Sequence, residues 1–250
     1  MRAMILAAGL GTRLRPLTNN RPKALVEVAG QTLLEITLRR LASFGIRDVI
    51  VNVHHFANMM IDYLQNNHSF GMHVEISHED DLLLDTGGGL KKAGWFFQER
   101  PSRTEEPFVL HNVDVITTID LKEMIQFHHE NQALATLAVQ RRETSRRLLF
   151  DQSNQLCGRQ TGENAAEMVR PCQNPQPLAF SGIHVVSPKL LEMITEEGTF
   201  SIIASYLRLA GEGRRILGFR ADEYYWRDLG KPDNLAQVET DLQRHVLSLE

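Results

Sequence analysis

Cysteine is scarce in this chain. Only Cys157 and Cys172 occur among 250 residues. Their separation does not match a thiolate metal site, so no disulfide framework is expected, and free thiols in a reducing cytoplasm are. Long apolar runs are missing as well. No stretch reaches the ~18 uncharged apolar residues of a membrane-spanning helix, and the apolar N-terminal run is too short for a signal peptide. An unprocessed chain with no membrane partner is the expectation. Positive charge is not in excess, because 27 Lys and Arg stand against 31 Asp and Glu for a net charge of −4. With its cations clustered locally, the chain is not expected to bind nucleic acid, and a small anionic ligand suits it better. What remains, 42% hydrophobic and 23% charged residues, is enough apolar material to fill one α/β core.

The first 27 residues carry the densest chemistry. Ala3 to Ala7 form an apolar run of strand length, after which the small residues Ala8, Gly9 and Gly11 let a ligand approach the backbone. Backbone N–H groups in such a turn point outward together and hold an anion. Arg13, Arg15, Arg21 and Lys23 follow, with no acidic residue before Glu27. Pro16 and Pro22 stiffen the segment around Thr18, Asn19 and Asn20, which presents Lys23 at a fixed position. Two phosphate motifs fail here. The dinucleotide fingerprint requires a small residue where Leu14 stands, which argues against a nicotinamide-dependent dehydrogenase, and the P-loop pattern is absent. The pattern that fits is a strand, then Gly9-Leu10-Gly11-Thr12-Arg13-Leu14-Arg15-Pro16, then Pro22-Lys23. In this the chain resembles the sugar-phosphate nucleotidyltransferases.

Further along, apolar spacing predicts a helix over 31–44, a strand over 48–53, a helix over 57–64 and a strand over 71–76. Strand and helix alternate, so the sheet should be mostly parallel. His54 and His55 fall at a polar strand end, and adjacent side chains on an extended chain diverge, which speaks against a metal pair. Gly87, Gly88 and Gly89 precede a helical run over 90–97 and suggest close ligand approach at a helix start. Asp120 is placed as the N-cap of a helix over 121–131, followed by a strand over 134–139. Short strands are expected at 148–150 and 156–158, and a loop over 162–177. A strand over 178–186 is interrupted by Gly182, which marks a bulge or close approach. Helices over 188–194 and 201–210, a strand over 216–219 and a closing helix from Pro232 to about Leu247 complete the pattern. The expected fold is one Rossmann-like three-layer α/β domain over 1–250, with a mostly parallel mixed sheet and a small antiparallel excursion. Its nucleotide part would span about 1–115 and its sugar part about 116–232.

Asp114 follows an apolar strand, at the edge where open α/β sheets hold ligands, and a carboxylate there suits a hard divalent cation. The resemblance implies the remaining roles. Asp114 and Asp228 would hold Mg²⁺, the latter within Trp226-Arg227-Asp228-Leu229-Gly230-Lys231-Pro232. Ala7, Ala8, Gly9, Gly11, Thr12, Asp85, Thr86 and Gly87 would surround the nucleotide, and Asn112, Ser181 and Gly182 the sugar. Arg13 would take the triphosphate and leaving pyrophosphate, and Lys23 the α-phosphate or the incoming sugar phosphate. The implied substrates are a nucleoside triphosphate and a sugar 1-phosphate. Asp85-Thr86-Gly87-Gly88-Gly89 looks like the branch that uridylylates N-acetylmuramic acid 1-phosphate, which favours UTP with an amino-sugar 1-phosphate over GTP with mannose 1-phosphate. A non-catalytic nucleotide-sugar sensor on the same fold is the alternative of a different class. Val113 replaces the family's usual Gly, and the Glu-Lys-Pro whose lysine meets the sugar phosphate is absent; which cation, if any, does its work is open, with Arg141 and Arg146 as candidates. Oligomeric state leaves no mark on the sequence.

Overall fold

Strand β1 (Arg2–Leu6) runs through the middle of the main sheet, hydrogen-bonded in parallel to β4 (Asp48–Val53) on one side and β6 (Phe108–Asn112) on the other. The computed structural model describes residues 1–80, 82–98 and 106–249. Strand β5 (His73–His78) continues the parallel run beyond β4. Beyond β6 lies the long β12 (Gln176–Val186), antiparallel both to β6 and to β8 (Ala135–Gln140), and β13 (Ile216–Arg220) closes that side parallel to β8.

Helices cover both faces, which is why the central strands are apolar without alternation. Ala3 and Ile5 point into a core shared with α1 (Leu33–Ser43), α2 (Ala57–Asn66), α5 (Leu121–Glu130) and α8 (Pro232–Gln243). Met4 points the other way. It joins a core built with α3 (Asp85–Ala93), α4 (Trp95–Gln98), α6 (Lys189–Met193) and α7 (Ile202–Gly211). Caps set several boundaries: the Thr32 hydroxyl accepts from Glu35 N, and Asp120 accepts from Lys122 N and Glu123 N as its sequence position predicts.

The antiparallel excursion is present. The start of β12 pairs with β9 (Arg146–Phe150), which pairs with β10 (Leu156–Thr161) and then with the two-residue β11 (Glu167–Met168). Two short ribbons complete the fold: β2 (Glu27–Val28) with β3 (Gln31–Thr32), and β7 (Val115–Thr117) with β14 (Trp226–Asp228).

Three expectations need correction. The glycine run does not precede its helix but lies inside α3, which begins at Asp85. A Cβ on Gly88 would sit 2.5 Å from the Gly198 carbonyl, and one on Gly89 would sit 2.8 Å from both Asn52 and Glu79, so these glycines admit close packing of protein on protein. Strand β11 interrupts the segment expected to be loop, and with only two residues, both exposed, it is too short to show an alternating pattern. The closing helix stops at Gln243, after which His245 takes a left-handed φ of 55° and Leu247 turns back into the core.

Three buried histidines give the fold a pH dependence. Burial pushes His111 and His128 down to about 4 and His184 down to about 3, from an ordinary value of 6.5. As pH falls below that ordinary value, the unfolded chain takes up these protons and the folded protein does not, so stability falls with pH towards about 4. Urea unfolding should therefore show a lower free energy at pH 5 than at pH 7, with each ring contributing up to ~1.4 kcal/mol per pH unit. Equal stability at the two pH values would show that the rings are not buried in neutral form.

Candidate active site

Leu6, the last residue of β1, pairs in register with Asn52 on β4 and with Asn112 on β6. Three parallel strands thus end side by side, and the loop after β1 runs over the carboxyl edge where such sheets hold ligands. That loop is anchored by buried polar groups. Asn52 Oδ1 accepts from Ala7 N at 2.7 Å, Asn52 Nδ2 donates to Glu79 Oε1 at 2.7 Å, and Glu79 Oε2 accepts from Leu84 N at 2.8 Å. Asn52 and Glu79 are 3% and 1% exposed. One pair therefore ties the start of the loop to the approach of α3. Sequence reading passed over both residues, although an Asn inside Asp48-Val49-Ile50-Val51-Asn52-Val53 was the available signal.

Gly11 has φ +63° and leads into a short 3-10 helix, Thr12–Leu14. Leu14 is fully buried, so the residue that spoils a dinucleotide fingerprint is the anchor of the loop in the core. This leaves Arg13 exposed beside it. A second 3-10 helix, Lys23–Leu25, carries Lys23 into the cleft, where its ammonium is paired with Asp114 Oδ2. The cleft has a volume of about 500 Å³. Ala7, Ala8, Gly9, Gly11, Thr12, Arg13 and Lys23 line it on the loop side, Asp85 and Thr86 at the start of α3, and Asn112 and Asp114 at the end of β6. Asp85 holds a left-handed φ of 59° while its Oδ1 accepts from Thr86 N at 2.6 Å, a strained conformation of the kind that collects at ligand sites.

Four of the expected residues do not line this cleft. Gly87 lies beneath Phe200, with its N–H donating to the Phe200 carbonyl at 2.9 Å. Ser181 is fully buried, and its carbonyl accepts from Trp226 Nε1 at 2.7 Å. Gly182, at φ +77°, lets β12 pass against Asn112, whose Nδ2 would be 2.9 Å from an added Cβ. Asp228 borders the cleft through Gly230: a Cβ there would lie 2.6 Å from both Arg13 Nη2 and Asp228 Oδ1. Leu229 N donates to the Asp114 carbonyl at 2.7 Å, so the segments carrying the two aspartates are stitched together. His54 Nδ1 lies 2.6 Å from the Glu79 carbonyl, which makes it a polar strand end.

Among the described residues no cluster of three or more His, Cys, Asp or Glu is arranged to hold a metal. Asp114 and Asp228 offer two hard carboxylates beside an open cleft. That donor set fits a divalent cation that draws its other ligands from water and phosphate.

The Asn52 link can be tested on stability alone. Asn52→Ala leaves Ala7 N–H and a Glu79 oxygen unpaired, and since each buried polar group so stranded costs about 1–3 kcal/mol, a loss of about 2–4 kcal/mol is expected in urea unfolding. Asn52→Asp, which sets a second carboxylate against Glu79, should cost at least as much at pH 7. A loss below about 0.5 kcal/mol in both variants would mean the link carries no strain of this kind.

Residues 2–245 match the profile of the nucleotidyl transferase family. The chain is 34% identical over 250 residues to N-acetylmuramate alpha-1-phosphate uridylyltransferase of Caulobacter vibrioides, covering 96% of each. It is 30% identical to the protein of the same description from Neisseria meningitidis serogroup B, over 96% of this chain and 97% of that one. Mannose-1-phosphate guanyltransferase of Yarrowia lipolytica is also 30% identical over 93% of this chain, which spans only 61% of that longer protein. Among solved structures, HddC from Yersinia pseudotuberculosis complexed with GMP-PN shares the fold with a TM-score of 0.74 at 21% identity, over 96% of this chain and 99% of that one. UDP-glucose pyrophosphorylase complexed with UDP-glucose does so with a TM-score of 0.76 at 15% identity, over 98% of each. With this similarity along nearly its whole length, the chain belongs to the nucleotidyl transferase family, in the group of sugar-1-phosphate nucleotidyltransferases.

Proposed function

We propose that the enzyme transfers the uridylyl group of UTP to an amino-sugar 1-phosphate and releases pyrophosphate, with Mg²⁺ as its cofactor. The observation that carries this reading is the convergence of Arg13, Lys23 and Asp114 on one cleft beneath the loop amides. A phosphate oxygen of the sugar 1-phosphate attacks the α-phosphorus of the triphosphate; the new P–O bond forms as the bond to the pyrophosphate oxygen breaks. No protein nucleophile is needed, so the residues act by positioning and by charge.

The loop from Ala8 to Thr12 supplies backbone N–H donors to the triphosphate, and the planar fork of Arg13 suits the oxygens of the leaving pyrophosphate. Lys23 is held by Asp114, which gives its ammonium a defined place in the cleft. Asp114 and Asp228 would hold the divalent cation, which when bound neutralises phosphate charge. Retention of Lys23 and of both aspartates argues for catalysis over a sensor role. The preference for UTP and an amino sugar rests on the full-length similarity to two N-acetylmuramate alpha-1-phosphate uridylyltransferases.

Asp114→Asn and Asp228→Asn should each lower pyrophosphate release at least about tenfold, the scale on which even outer partners of a metal matter, while circular dichroism stays unchanged. A folded variant of either kind with wild-type turnover would remove that residue from the metal site. With UTP and GTP competing at equal concentration over a panel of sugar 1-phosphates, the uridylyl product should dominate, because a site whose polar groups fit one base leaves them unpaired against another. Guanylyl product in excess for every sugar would assign the enzyme to GTP.

A further inference from the structure

The stretch from 140 to 177 is rich in arginine and has no lysine, and the structure sorts these cations. Arg141 and Arg146 are exposed, and the backbone N of Arg141 is taken by Asp222 Oδ1 at 2.6 Å. Arg159 pairs with Glu167 at 2.6 Å and Arg170 with Asp151 at 2.9 Å. Arg142 differs from all of these. Its guanidinium lies flat against the Trp226 indole, with Cζ 3.6 Å from the ring centroid, and Nη2 donates to the Phe180 carbonyl. Its Nε is buried without a partner. Trp226 is itself pinned, because its Nε1 donates to the Ser181 carbonyl at 2.7 Å. The cation is thus held from two sides, by the residues before Gly182 and by the residue two before Asp228.

Such placement is costly unless an anion answers it, because a part-buried guanidinium with an idle donor has given up water without gaining a counter-charge. Burial lowers its proton affinity and Asp228 raises it, which identifies Asp228 as the acid whose field it feels, yet the two do not form an ion pair. Arg13 also reaches this carboxylate, because a Cβ on Gly230 would lie 2.6 Å from both Arg13 Nη2 and Asp228 Oδ1. Two guanidiniums therefore bear on one carboxylate, Arg13 from the loop after β1 and Arg142 from the β8–β9 turn.

We infer that Arg142 receives the phosphate of the sugar 1-phosphate, stacked on Trp226 so that its fork is oriented before the substrate arrives. This rests on the proposed function in taking the second substrate to be a sugar phosphate. Planar, two-pronged donation suits phosphate, and an arginine pre-set by stacking loses little freedom on binding it.

The chain has two tryptophans, and Trp95 is on α4, so Trp95→Phe leaves Trp226 as the sole indole reporter. Titrated with N-acetylglucosamine 1-phosphate, that variant should change its emission, and free N-acetylglucosamine should leave it unchanged. Adding Arg142→Gln should weaken the phosphate response by about tenfold or more, as expected for losing a charge-assisted pair. In turnover, Arg142→Gln should raise KM for the sugar 1-phosphate by a similar factor and leave KM for UTP within about twofold. Arg142→Lys, which keeps the charge without the fork, should recover part of the loss and serves where the Gln variant folds poorly by circular dichroism. The inference is overturned by a phosphate affinity unchanged in Arg142→Gln, by an equal rise in KM for UTP, or by a Trp226 signal indifferent to the sugar phosphate. Because the fluorescence titration needs no turnover, a wild-type enzyme that binds the sugar phosphate through Arg142 but forms no nucleotide sugar would sink the proposed reaction and leave the Arg142 site standing.

Discussion

Because β1 is hydrogen-bonded in parallel on both sides, its carboxyl end cannot shift without breaking two ladders, and the loop that follows inherits that rigidity. Leu6 in register with Asn52 and Asn112 means that the phosphate loop, the anchor of the loop and the approach to Asp114 share one edge. Burial of the strands on both faces resists deformation of this edge. Asn52 and Glu79 carry the order outward, since their hydrogen bonds fasten both the first loop amide and the entry to α3.

Charge at the site is arranged in alternation. Lys23 is paired with Asp114, Arg13 lies beside Asp228 across Gly230, and Arg142 is stacked on Trp226, two residues before Asp228. A site that must hold two polyanions close together has to supply cations without letting them collapse onto one another or drift into solvent. Here Lys23 is held by a carboxylate and Arg142 by an aromatic face, so these two require little rearrangement when phosphate arrives. The absence of a side chain at Gly230 is part of this order, because any Cβ would drive Arg13 and Asp228 apart.

Where the sequence misled, the cause was a contact it does not display. Three consecutive glycines look the same whether a ligand or the protein itself approaches them, and only the positions of Phe200, Gly198, Asn52 and Glu79 show that α3 is packed from within. Leu14 was legible as a residue out of place in one motif, but its burial beneath the loop was not. Of Arg141, Arg142 and Arg146, the one stacked on Trp226 is 142, and nothing in its neighbours along the chain distinguishes it from the other two.

What the sequence determined by itself was whatever depends on local order. The apolar run of β1, the alternation of strand and helix, the Asp120 cap, and the Gly-x-Gly-Thr-Arg and Pro-Lys spacing each express their physics within a few residues, and they were enough to identify the fold class. Tertiary structure alone decided which distant residues meet: Asn52 with Ala7 across 45 positions, Lys23 with Asp114 across 91, and Trp226 with Ser181 across 45. Such pairings depend on strand order, register and the direction in which a buried side chain can find a hydrogen-bond partner. Those are properties of the packed core as a whole, and no segment read alone contains them.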